Sequence, residues 1–178
     1  MMVMDGTRDA ESVADALQQI LEEKLTCLRH LETITLAPTK GTATLAKAEK
    51  IVTGWIYKDL KSCDTDVPGI DTAETKVDVH EMTRAGNYGT LFGSLGDTRK
   101  LCLTQGQIEE FCRSHRGSLR QEGYSTFFLF EANSELLVAR VYVASSKLQA
   151  VVHRFGLDHD YVWSVGNRSR VVVQQQTA

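Results

Sequence analysis

A chain of 178 residues with 42% hydrophobic and 24% charged side chains has room for one compact domain or two small ones. Its formal charge of -3, from 20 Lys plus Arg against 23 Asp plus Glu, excludes a strongly basic histone-like binder and a highly acidic disordered tail alike. No window approaches the ~18 uninterrupted apolar residues of a membrane helix, and Met1-Met2-Val3-Met4-Asp5 lacks the basic segment and apolar core of a signal peptide, so a cytoplasmic address with no membrane association is expected.

From Asp9 to about Leu36 the residues Val13, Leu17, Ile20, Leu21, Leu25, Leu28 and Leu31 recur at helical spacing opposite Gln18, Glu22, Arg29 and Thr33, which predicts a long amphipathic helix. Ala37-Pro38-Thr39-Lys40-Gly41 breaks it, because Pro disfavours helix in the residue before it and Gly supplies turn conformations. A second helix is predicted from about Thr42 to Leu60, burying Leu45, Ala48, Ile51, Val52, Trp55, Ile56 and Leu60. The short connection makes residues 1–62 an antiparallel helical hairpin. Residues 63–76 hold a Pro-Gly pair and no periodicity, so they read as an acidic linker to an α+β domain over 77–178. On that division, a chain starting near Thr75 stays soluble and strand-rich.

Lys76 to Val79 reads as a short strand, and His80 to Leu95, with Gly86, Gly89, Gly93 and Gly96, as a broken helix. Thr104-Gln105-Gly106-Gln107 has the spacing of a capping box. The helix it opens, to about Arg120, carries Ile108, Phe111, Cys112, His115 and Leu119 along one face. Then the period changes. Tyr124–Glu131, Glu135–Ala144, Lys147–Phe155, Tyr161–Val165 and Ser169–Gln174 are runs of β-branched and aromatic residues separated by turn residues. Short connections force antiparallel neighbours, so the expected fold is α+β: the helical hairpin, then an antiparallel four- or five-stranded meander packed against the Thr104 helix.

Leu101-Cys102-Leu103-Thr104-Gln105, Gly123-Tyr124-Ser125-Thr126-Phe127-Phe128-Leu129-Phe130, Val162-Trp163 and Arg170-Val171-Val172-Val173-Gln174 together resemble a pattern shared by small uncharacterised bacterial proteins. Residues 75–96, with Glu81-Met82 and Phe92-Gly93-Ser94, are similar too. The resemblance spans about the last hundred residues and implies a bacterial source, but brings no activity or catalytic residues. Gln174 stands where that family often has Pro, a departure that touches only the end of the last strand.

Cys27, Cys63, Cys102 and Cys112 are 36, 39 and 10 residues apart, so no Cys-x-x-Cys pair exists to grip zinc, and all four read as reduced thiols. No cofactor and no metal are expected. Cys112 and His115 are three apart on a helix, the spacing of an activated thiolate, yet both sit in the apolar stripe, where a buried histidine bonded to backbone explains the same facts. Asp158-His159-Asp160 reads as a solvated turn, because adjacent residues do not easily converge on one ion. The glycines of 86–96 lack the spacing of a phosphate loop.

Two basic faces are candidate binding surfaces. Lys47, Lys50, Lys58 and Lys61 fall within about an 80° arc of the second helix, and Arg113, Arg116 and Arg120 within about 60° of the Thr104 helix. Either could grip phosphates or an acidic protein surface, or be the solvated side of its helix. Strand alternation places Arg140 with Leu136, Val138 and Tyr142, and Arg154 with Leu148, Ala150 and Val152. A guanidinium on an apolar face is paired with an acid, sits at a rim, or lines a pocket. The expected function is a non-catalytic module that binds a protein partner. Its rivals are a nucleic-acid binder or modulator of a nucleic-acid enzyme, and a small metal-independent hydrolase or RNase built on His153, Arg154, Arg140 and Tyr142.

Overall fold

The computed structural model describes residues 13, 27–49, 52, 65–156 and 161–176. Strand β1 (Leu28–Leu36) pairs antiparallel with β2 (Thr75–Met82). Helix α1 (Tyr88–Gly93) and helix α2 (Gln105–Ser114) follow, then β3 (Ser125–Ala132), β4 (Glu135–Ala144), β5 (Lys147–Arg154) and β6 (Arg170–Gln174). The strands form one sheet in the order β1-β2-β6-β3-β4-β5. All neighbours are antiparallel except β3 and β6.

The β3-β4-β5 meander is turned by Asn133-Ser134 and Ser145-Ser146, whose φ values of 51° and 64°, and 49° and 61°, put both residues of each turn in the left-handed region. Such two-residue turns match the twist of the strands they join. β6 then returns past β4 and β3 to lie between β3 and β2, with Thr126 opposite Arg170 and His80 opposite Val171.

Both faces of the sheet are covered. On one, Val77, Val79, Phe128, Phe130, Ala139, Val141, Leu148, Ala150 and Val172 meet Ile108, Phe111 and Cys112 of α2 together with Leu45, Ala48 and Val52. On the other, Phe127, Leu129, Val138, Val171 and Val173 meet Tyr88, Leu91 and Phe92 of α1, Leu101 and Trp163. The capping box of α2 has both limbs: Gln107 N donates to Thr104 Oγ1 at 3.2 Å, and Thr104 N to Gln107 Oε1 at 2.8 Å. The next residue, Gln105, is buried; it accepts from Leu45 N at 2.9 Å and donates to the carbonyls of Thr65 at 2.8 Å and Val67 at 3.2 Å. One side chain thus ties α2 to two earlier segments.

Several expectations are corrected. Among the described residues, which leave out 9–12 and 14–26 of the first expected helix, the architecture is a six-stranded mixed sheet with two short helices in the middle of the chain, not a helical hairpin followed by a meander. Leu28–Leu36, expected as the end of the first helix, is an edge strand. A β-bulge between His30 and Glu32 shifts the alternation, so Leu28 packs on one face of the sheet and Leu31 and Ile34 on the other, and the period of two that would mark a strand is interrupted. Of the second expected helix, the described part forms only a 3-10 turn at Leu45–Lys47, and residues 50–51 and 53–60 lie outside the described residues. In the expected linker, Thr39 and Thr72 form a β-bridge and Gly69 N donates to Gly41 O at 2.8 Å. A Cβ on Gly41 would sit 2.5 Å from Gly69 O, so this contact needs a glycine. Of the broken helix over His80 to Leu95, the start belongs to β2 and six residues form α1. Tyr161–Val165 is not a sheet strand; Trp163 makes an isolated bridge with Gly86, and a 3-10 turn follows at Val165–Asn167.

One buried acid had no sequence signal. Glu81 is 8% exposed and accepts from Arg29 Nη2 at 2.8 Å and Arg168 Nη2 at 2.7 Å. Burial alone would raise its pKa, but the two guanidinium groups, Arg168 first, hold the carboxyl below its ordinary range. The ion pairs fasten β1 and the turn before β6 to β2.

Candidate functional site

Antiparallel register sets Val138 opposite His153 and Arg140 opposite Val151, so Arg140 and His153 project from the same face of the sheet. They line a cavity of about 210 Å³ with Tyr88, Tyr161 and Trp163. Its wall is held by a paired bridge: Trp163 N donates to Gly86 O at 2.9 Å and Gly86 N to Trp163 O at 3.3 Å. The Trp163 ring lies 4.8 Å from Phe127, 5.7 Å from Tyr88 and 4.6 Å from Tyr161 between centroids. Its indole N–H is buried without a hydrogen-bond partner among the described residues.

Arg140 is half-buried, with its Cζ 4.8 Å from the Trp163 ring centroid and 5.2 Å from that of Tyr142, a cation-π contact with each ring. Its Nε donates to Ser125 Oγ at 2.7 Å. Among the described residues no carboxylate pairs with it, in contrast to Arg29, Arg99, Arg113, Arg154 and Arg168, which all make ion pairs. Tyr161, which lines the cavity, and Val162 and Val165 of the same segment are 60%, 58% and 43% exposed.

The other expected site residues are placed differently. Lys47 lies 3.0 Å from Asp66 Oδ1, and Lys50, Lys58 and Lys61 lie outside the described residues. The arginine face on the Thr104 helix does not form, because the helix stops at Ser114 and His115 leaves helical geometry at φ -124°, ψ 39°. Arg113 pairs with Glu110, and Arg116, in a 3-10 turn, donates to Ser146 O. Arg120 donates from Nε to Asn167 O at 3.2 Å and lies over the Tyr124 ring. Arg154 faces the opposite side of the sheet from Arg140, with Leu137 as its cross-strand partner and Glu135 Oε2 at 3.5 Å.

Cys112 is 3% exposed and burial pushes its thiol up to about 12, which opposes a thiolate there. Among the described residues no group of three His, Cys, Asp or Glu side chains could hold a metal ion, and Asp158-His159-Asp160 lies outside them. Sequence reasoning singled out Arg140 and His153 but not Tyr88, Tyr161 and Trp163. For Tyr161 and Trp163 the one signal was the aromatic content of the Tyr161–Val165 run, which reads as a strand; Tyr88 gave none.

A second cluster sits at the far edge of the sheet. His30 and His80 are cross-strand partners with rings 5.4 Å apart, and His30 Nε2 is 3.4 Å from Asp78 Oδ1. Burial, then the neighbouring His30, push His80 down from 6.5 to about 4, against the pull of Asp78. The unfolded chain therefore takes up a proton near pH 6.5 that the folded chain refuses until about pH 4. The stability His80 confers is complete above that window and falls as the pH drops through it, by at most about 3 kcal/mol. His80→Gln is expected to flatten urea-derived stability between pH 6.5 and 4. An unchanged slope in the variant would assign the acid sensitivity to other groups.

Comparison with protein-family models, with curated proteins and with solved structures found no match. No helix of the described residues is long and apolar enough to cross a membrane.

Proposed function

We propose that this chain is a non-catalytic interaction module that binds a protein partner over the Tyr161–Val165 segment and the cavity behind it. The supporting observation is that Tyr161, which lines a cavity walled by aromatic rings, stands exposed together with Val162 and Val165 of the same short segment. Single exposed apolar residues are ordinary, but three within five positions, one of them lining a concavity, have the form of a contact surface, with aromatic anchors and an arginine in the concavity. At about 210 Å³ the cavity falls below the ~300–1,000 Å³ of typical small-molecule sites, so it suits one inserted residue of a larger partner.

The test is Val162→benzoylphenylalanine, irradiated in cells of the source organism beside the same substitution at Thr35, an exposed position on β1. A discrete covalent adduct at 162 and none at 35 is expected; no adduct at 162 would remove the reading. Because Arg140 and His153 share the cavity, a second reading is the metal-independent hydrolase or RNase, with His153 as general base and Arg140 stabilising the phosphorane. RNA degradation in chelator that is lost in His153→Ala would decide for it.

A further inference from the structure

We propose that the cavity recognises a free carboxylate, specifically the carboxyl-terminal residue of a partner chain, with the carboxylate on Arg140 and an apolar side chain against Trp163 and Tyr161. The inference rests on the protein-binding reading and adds the chemistry of what is bound. Arg140 carries it. A half-buried guanidinium has lost part of its hydration, and a charge in that position is ordinarily compensated by an acid. Here the compensation is two aromatic rings and one hydroxyl.

The geometry of that partial compensation selects the ligand. Nε is committed to Ser125 Oγ at 2.7 Å, which fixes the plane of the group and leaves the two terminal nitrogens to donate. Two parallel N–H donors are the match for a carboxylate, which they bind in a two-pronged, charge-assisted pair. The remaining walls, Tyr88, His153, Tyr161 and Trp163, are four rings whose exposed surface is mostly apolar, and they call for an apolar group beside the anion. An internal Asp or Glu brings a carboxylate on one or two methylenes and leaves those walls uncovered. A chain terminus brings the carboxylate and a full side chain from a single Cα, within one residue's volume. The exposed Tyr161–Val165 segment would then meet the preceding residues.

The test uses the wild-type chain and three probes: N-acetyl-alanyl-phenylalanine with a free carboxylate, its carboxyl-terminal amide, and N-acetyl-aspartyl amide. Binding is read from the Trp163 indole resonance, assigned with Trp163→Phe. The free acid is expected to shift that resonance saturably and to bind about tenfold or more tightly than the amide and the aspartyl probe, because a charged hydrogen-bonded pair is lost in one and the apolar contact in the other. Arg140→Met should bind acid and amide alike. Equal binding of acid and amide to wild type would overturn the carboxylate inference, and tighter binding of the aspartyl probe would overturn the terminal residue as its source. Neither result depends on the variant folding. An adduct at position 162 alongside equal acid and amide binding would leave the interaction surface standing and remove only this inference.

Discussion

A chain beginning at Thr75 is expected to aggregate rather than persist as a free strand-rich domain. The cut strips β1 from β2, which exposes an eight-residue sheet edge and uncovers Val77 and Val79. It also removes Leu28, Ile34, Leu36 and Leu45, which are 5%, 8%, 0% and 2% exposed. At ~1.5–3 kcal/mol for each buried aliphatic side chain, those four together contribute about 6–12 kcal/mol. That is comparable with the ~5–15 kcal/mol by which a whole domain is stable. Two polar consequences add to it. Glu81 loses Arg29, and the buried Gln105 loses Leu45 N and the carbonyls of Thr65 and Val67. Size-exclusion chromatography and circular dichroism decide the matter: a monodisperse, strand-rich fragment would show that residues before Thr75 are dispensable.

The sequence signals divide by how far along the chain their structural partners lie. Local rules carried far. The capping box at Thr104 and Gln107 forms with both limbs, β4 has the expected bounds, and β3, β5 and β6 fall within a residue or two of theirs. In each case the signal and the structure lie within the same few residues. The failures come where a distant partner decides. Leu28, Leu31 and Ile34 carry a helical spacing that only pairing with β2, through a bulge, turns into strand. Nothing near Arg170 indicates that its strand leaves the meander and inserts between β2 and β3. The cavity divides the same way. Alternation along β4 put Arg140 on an apolar face, but Tyr88 and Trp163 reach it only through the Gly86–Trp163 bridge across 77 positions of sequence. The arginine face did not form for a local reason that the spacing hid, since the helix ends at Ser114 before the second arginine is reached.

Phe111→Ala is expected to cost ~3–5 kcal/mol in chemical denaturation, the range for removing a large ring from a packed interior. Phe111 is 0% exposed and meets the Phe128 ring edge to face at 5.3 Å and 71°, in a cluster with Ile108, Leu119 and Phe130. Edge-to-face pairs contribute beyond area alone, so the truncation loses ring contact as well as burial and leaves a void between α2 and β3. The rigidity of the site magnifies the effect. Thr104 and Gln107 cap the helix, and Gln105 pins it to the segments at Leu45 and Thr65, so α2 cannot slide to fill the gap. Cavity costs rise when the surroundings fail to collapse. Two residues along the same helix, Arg113 is exposed and its ion pair with Glu110 is short-range in sequence, so Arg113→Ala should change stability by no more than about 1 kcal/mol. The pair of variants separates burial from helix propensity, because both introduce alanine into the last turns of α2. A loss below about 1 kcal/mol for Phe111→Ala would mean that α2 does not close that face of the sheet and that its apolar stripe is instead a surface for binding.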